Sequence, residues 1–146
     1  MKPAISTVCS LHAPLESILE DYAAGQCRSV ELWLGHAEQY LDGRPPEVLT
    51  ELFSQYSCDP IAATFQGGLL RSQGDARREH WSHFESRLAL CSAVSIPTLV
   101  LAGDVHGPLA PEDLGQLSAS LVEAAKRAAD AGVRLAFEFD ARATFP

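Results

Sequence analysis

A parallel α/β fold is predicted for this 146-residue chain, and three observations predict it. Five short apolar segments, each the length of a strand, begin near residues 4, 29, 60, 98 and 134. The intervals between them, 25, 31, 38 and 36 residues, are long enough for a helical crossover each time. Every interval carries apolar residues at helical spacing, and strands joined by helices imply parallel pairing with right-handed connections. No linker, low-complexity tract or composition shift interrupts the pattern, so residues 1–146 read as one domain.

Each element has its own local reason. The first strand is expected over Ala4-Ile5-Ser6-Thr7-Val8-Cys9. A helix follows from Pro14, a favourable first helical residue, with Leu15, Ile18, Leu19 and Tyr22 on one face and Gly25 as its stop. Ser29 to Leu34 is the second strand, with Val30, Leu32 and Leu34 alternating against Glu31 and Trp33. A short helical turn over Ala37–Leu41 breaks at Gly43-Arg44-Pro45-Pro46. The next helix then presents Val48, Leu49, Leu52, Phe53 and Tyr56. Pro60–Phe65 is the third strand, closed by Gly67-Gly68. Asp75–Ala93 is a helix burying Trp81, Phe84, Leu88 and Cys91. Pro97 opens the fourth strand, Thr98–Ala102, and the last helix runs from Pro111 to Ala131, with Leu114, Leu117, Leu121 and Ala125 as its expected buried face. Gly132 caps it, and Arg134–Phe139 is the fifth strand.

Sequential βα units suggest part of a (β/α)8 TIM barrel: about four units plus a fifth parallel strand. A closed barrel needs eight units and typically about 250 residues. A terminal fifth strand leaves an apolar edge uncovered, which isolated parallel sheets tolerate poorly. The expectation is therefore a truncated N-terminal portion of a barrel, or a half-barrel completed by a second chain in a homo-oligomer. The competing architecture is a complete doubly wound domain of the flavodoxin type, which has the right length but would normally end on a fifth helix.

Composition narrows the function. A hydrophobic fraction of 47% and a charged fraction of 21% belong to an ordinary globular domain. No apolar run reaches the roughly 20 residues of a membrane helix, and the N-terminus turns polar too soon for a signal peptide. A cytoplasmic location is the default expectation. Net charge is −8 and the eleven basic residues are scattered, which disfavours nucleic-acid binding. Cys9, Cys27, Cys58 and Cys91 form no C-x-x-C pair and read as reduced, mostly buried thiols.

In parallel α/β folds, ligands gather at the C-terminal ends of strands. The polar residues expected there are His12, Trp33, His36, Gln66, Asp104, His106, Glu138 and Asp140. On the fifth strand, Leu135, Phe137 and Phe139 should pack against helices, which turns Glu138 to the inner face. A carboxylate there is costly unless it is paired with a cation or acts on a ligand. Trp33 can wall a substrate or fill the interior. Glu31, nearer the start of its strand, is expected to make a structural hydrogen bond. His80 and His83 lie three apart on a helix and read as part of a solvated outer face. Gly67-Gly68 lacks the G-x-G-x-x-G frame, and no Walker lysine, G-x-S-x-G elbow or H-E-x-x-H pair occurs.

Two stretches, Gln26-Cys27-Arg28-Ser29-Val30-Glu31-Leu32-Trp33 and Ala131-Gly132-Val133-Arg134-Leu135-Ala136-Phe137-Glu138, resemble helix-Gly-strand joints of xylose isomerase-like TIM barrels. That family includes sugar phosphate isomerases and epimerases, inosose dehydratases and the endonuclease IV branch. The resemblance implies that Glu138 ligates a divalent metal (Mn2+, Mg2+ or Zn2+) and is one of two carboxylates flanking the substrate. Its partners, an Asp, a His or Gln and another Glu, would come from strands six to eight, which this sequence lacks. It also implies a small sugar, sugar phosphate or polyol as substrate, isomerised or epimerised by proton abstraction next to a carbonyl. Trp33, His36, Gln66, Asp104 and His106 are then the expected substrate contacts. Gln26-Cys27 departs from the family's usual Gly-Phe or Gly-Tyr, and Thr64-Phe65-Gln66 lacks the strand-three histidine of the endonuclease branch. That second departure and the acidic charge speak against DNA repair. The alternative is a non-catalytic flavodoxin-like binding or regulatory domain.

Overall fold

The computed structural model describes residues 3–103 and 110–139. Asp104, His106 and Asp140 therefore lie outside the described residues. Five strands, β1 (Ile5–Ser6), β2 (Ser29–Trp33), β3 (Asp59–Gln66), β4 (Thr98–Ala102) and β5 (Arg134–Glu138), alternate with five helices. These are α1 (Leu15–Ala24), α2 (Leu34–Leu41), α3 (Glu47–Gln55), α4 (Gly74–Ala93) and α5 (Pro111–Asp130). The strands form one sheet in the order β1-β2-β3-β4-β5, and every neighbouring pair is parallel. Each strand thus lies beside the next one in sequence, as in the wall of a TIM barrel. A flavodoxin-type sheet instead places its first strand inside, beside the third, so that alternative is not the fold observed. No described helix is long and apolar enough to cross a membrane.

One apolar cluster covers the convex side of the sheet. Val30, Leu32, Ala63, Leu99 and Leu101 meet Leu19, Leu49, Phe53, Phe84 and Leu88 from the helices. The period-2 alternation explains the division, since the residues between these strand positions face the concave side. Arg134 donates to Thr98 Oγ1 at 3.2 Å across that concave side, which fixes the parity of β4 and β5.

On β5, Phe137 and Phe139, expected to pack against helices, are 40% and 67% exposed. Three further features differ from expectation. The first strand is only Ile5–Ser6, after which Thr7–Ser10 turns as a 3-10 helix. Thr7 is fully buried there: its Oγ1 accepts from the Trp33 backbone N–H at 2.8 Å and lies 3.1 Å from His36 Nδ1. A side-chain oxygen has replaced the next rung of the β1–β2 ladder. Thr7→Val keeps the shape but strands the Trp33 amide, and should cost about 1–3 kcal/mol in urea denaturation. Thr7→Ser should retain most of that stability, and a valine variant as stable as wild type would contradict the account.

The second difference is the face of α5. Ser120, Ala124 and Ala128 are its buried residues, with Leu117 and Leu121 packed at the side, whereas Leu114 is 44% exposed. Small side chains let the helix lie close to the sheet, so the stripe is rotated away from the leucine row. Third, His80 is half-buried rather than fully solvated. Its imidazole lies against Gly68, whose φ is +80° and where a Cβ would come within 2.4 Å of Nδ1. The glycine leaves the space the ring occupies.

All four cysteines are free; Cys58 and Cys91 are buried, Cys27 is half-buried, and Cys9 is exposed, contrary to the expectation that most are buried. Burial pushes the Cys91 thiol up to about 11, outweighing the opposing charge of Arg87, so it packs as a neutral hydrophobe.

Candidate active site

The concave side of the sheet holds a cavity of about 480 Å3 lined by Glu31, Trp33, Thr64, Phe65 and Glu138, with Ser6, Val8, Cys9 and Leu11 at its margin. Glu31 and Trp33 come from β2, Thr64 and Phe65 from the end of β3, and Glu138 from the end of β5. The strand parity explains the selection: Trp33 is in register with Thr64, and Ala102 with Glu138.

Glu138 ends β5 with its backbone fixed, because its carbonyl accepts from the Gly103 N–H at 2.6 Å. Gly103 permits this approach, since a Cβ there would sit 3.0 Å from the same carbonyl oxygen. The Glu138 side chain is exposed to the cavity and makes no hydrogen bond or ion pair with a described residue. Glu31 is half-buried on the same floor and is likewise without such a partner. This corrects the sequence expectation of a structural hydrogen bond for Glu31. The parity argument placed it inward, but nothing in one sequence showed that the surrounding strands would offer it no donor. Two acceptor-only carboxylates with no lysine, arginine or histidine among the described lining residues form a negative, acceptor-rich floor. Ligand hydroxyls or a cation would satisfy them.

Trp33 presents its indole to the cavity and meets the His36 ring edge-on, with centroids 4.8 Å apart and planes at 87°. His36 itself does not line this cavity. It is 2% exposed in α2, with Nδ1 on Thr7 Oγ1 and Nε2 3.3 Å from the Leu11 carbonyl. Expected as a substrate contact, it instead backs Trp33. His36 does line, with His12, Tyr40 and Arg44, a separate cavity of about 370 Å3.

Gln66 is also placed differently from the expectation. It is 1% exposed, donates from Nε2 to the Gly67 carbonyl at 2.8 Å, and accepts from Arg87 at 3.3 Å. The cause is a bulge. Ala63 pairs with Leu99 and Gln66 with Leu101, so β3 advances three residues where β4 advances two. The extra residue inverts the alternation, which turns Gln66 toward the helices and brings Phe65 to the cavity beside Thr64. Thr64 and Phe65 are therefore lining residues that sequence reasoning missed. The only signal was the polar Gln66 at a helix-facing position, and it becomes readable only once the bulge is known.

Behind β3 lies an ion pair. Arg87 of α4 donates to Glu38 of α2 from Nε at 2.8 Å and from Nη2 at 3.2 Å. His83 Nε2 stands 3.1 Å from the same carboxylate. Burial opposes ionisation of Glu38, but the hydrogen bonds and charges of Arg87 and His83 prevail and hold its carboxyl below the usual range.

Among the described residues, no group of three His, Cys, Asp or Glu side chains could hold a metal ion. Glu138 nonetheless suits one place in such a set, being a strand-end carboxylate open to a cavity and without a partner among the described residues. Further ligands would have to come from outside the described residues.

No family model and no curated protein matches the sequence. Solved structures do share the fold. The IolI protein, solved with a bound zinc atom, superposes with a TM-score of 0.83 at 20% identity, covering 95% of this chain and 51% of its own. D-psicose 3-epimerase in the presence of D-fructose gives 0.70 at 19% identity, with coverage of 92% and 51%. A xylose isomerase-like TIM barrel/4-hydroxyphenylpyruvate dioxygenase fusion protein gives 0.80 at 18% identity, covering 98% of this chain and 22% of that one. The chain spans about half the length of IolI and of the epimerase. It has the fold of about half of a TIM barrel, similar to that in these solved structures.

Proposed function

We propose that this chain supplies the N-terminal half of the active site of a metal-dependent isomerase or epimerase acting on a small sugar, sugar phosphate or polyol. The observation that carries the reading is the Glu138 carboxylate at a strand end, without a partner among the described residues and open to a cavity walled by Trp33. In this reading a divalent cation (Mn2+, Mg2+ or Zn2+) held by Glu138 and by ligands from further βα units supplies positive charge beside a substrate oxygen. This chain's own residues do the rest. Trp33 and Phe65 take the C–H faces of the substrate. Glu31 and Thr64 Oγ1 meet its hydroxyls. Glu138 also moves the proton next to the carbonyl, as a base within a preorganised site. Asp104 and His106, which follow β4, are further proposed contacts on sequence grounds. Support comes from the neighbours: IolI was solved with zinc, and D-psicose 3-epimerase with D-fructose.

The test is conversion of ketohexoses and cyclic polyols by the complete protein, followed by NMR in deuterated water. Chelation should abolish both conversion and deuterium uptake next to the carbonyl, and Mn2+ should restore them. Conversion that survives exhaustive chelation would refute the metal-dependent mechanism.

A further inference from the structure

We infer that Arg87 is a positioning residue for this cavity: gripped side-on by Glu38, it fixes the end of β3 and so sets where Phe65 stands relative to Trp33. The inference rests on reading the cavity as the substrate site. Arg87 has a side chain only 13% exposed and divides its donors among three residues, Glu38, Phe65 and Gln66. The Nε and Nη2 edge takes both oxygens of Glu38, a bidentate fork that fixes the guanidinium plane. The remaining nitrogen, Nη1, then meets β3, donating to the Phe65 carbonyl at 2.8 Å and to Gln66 Oε1 at 3.3 Å.

That contact falls at the break in the β3–β4 register. Between Ala63 and Gln66 the β3–β4 register is broken by the extra residue; Thr64 keeps its pairing with Trp33 of β2, whereas Phe65 stands beyond the β2 register and inside the break to β4. The Phe65 side chain is 52% exposed and has little packing to anchor it. Its place in the cavity is set by its backbone, and Arg87 holds that backbone. Glu38 lies in α2, the helix that begins directly after Trp33. The carboxylate that orients Arg87 thus comes from the segment carrying one aromatic wall, and the carbonyl it grips belongs to the other. Lysine could not reproduce this, because an ammonium lacks the planar fork.

Amide hydrogen exchange read by mass spectrometry tests the positioning directly, using Arg87→Met, Arg87→Lys and Glu38→Gln. The amides of residues 63–67 should exchange about tenfold faster in Arg87→Met, with Val30–Leu32 and the body of α4 unchanged. Arg87→Lys and Glu38→Gln should give smaller accelerations at the same place. Arg78→Met, which removes an exposed cation from the same helix, should change nothing. An unaltered 63–67 segment, or equal acceleration of every strand, would overturn the inference. If Arg87→Met fails to fold, the two milder variants decide it by the same criterion. In the complete protein, with D-fructose as the probe, Arg87→Met should weaken binding or raise KM about tenfold or more, with a smaller change in kcat. Wild-type protein that neither binds nor converts any of the tested ketohexoses and polyols would overturn the sugar reading, while the exchange result still decides the role of Arg87.

Discussion

Glu138→Gln should reduce turnover by the complete protein about 10²–10⁴-fold, the range lost when a positioned acid/base group is removed. It should also weaken Mn2+ binding in calorimetric titration, because a neutral amide is a poorer ligand for a hard cation. Stability should hardly move. The side chain is exposed and has no described partner, so substitution should stay within roughly 0.5 kcal/mol of wild type. This separation is the useful part of the experiment, since a folding defect would lower activity and melting temperature together. Equal turnover and equal metal affinity in the two proteins would remove Glu138 from the mechanism.

Phe84→Ala should have the opposite profile. Phe84 is fully buried in α4, packs edge-on against Trp81 with centroids 5.8 Å apart, and belongs to the cluster between helices and sheet. Truncating a phenylalanine in such a place costs about 3–5 kcal/mol, from lost transfer free energy plus the cavity left behind. Domains are stable by only about 5–15 kcal/mol, so this is a large fraction of the total. Guanidinium denaturation should show the midpoint falling with little change in slope, and Phe84→Leu should recover much of the loss. A midpoint shift equivalent to less than about 1 kcal/mol would mean that the α4–sheet contact is not the rigid core described.

The sequence was a good guide wherever one periodicity held over a whole element. Thr98-Leu99-Val100-Leu101-Ala102 has the boundaries read from Pro97 and the apolar run, and Glu138 lines the cavity as its parity implies, although Phe137 and Phe139 on the other face are exposed rather than packed against helices. It was a poor guide wherever a single residue altered the count. The extra residue in β3 exchanges the roles of Phe65 and Gln66, and no periodicity argument can locate a bulge whose partner strand is unknown. His36 failed for a related reason: proximity to a strand end was read as exposure, but Thr7 and the Leu11 carbonyl claim both ring nitrogens. Those partners are more than 20 residues away in the chain. Glu31 was undervalued because its lack of a donor is a property of its neighbours in space. The face of α5 shows the converse, where leucines drew attention while Ser120, Ala124 and Ala128 made the close contact.

The consecutive strand order has a kinetic consequence. Every strand bonds to the one made immediately before it, so no pairing must wait for a distant part of the polypeptide. Loop-closure entropy is therefore paid in small instalments, and a growing nascent chain can add each βα unit to a ready edge as it emerges from the ribosome.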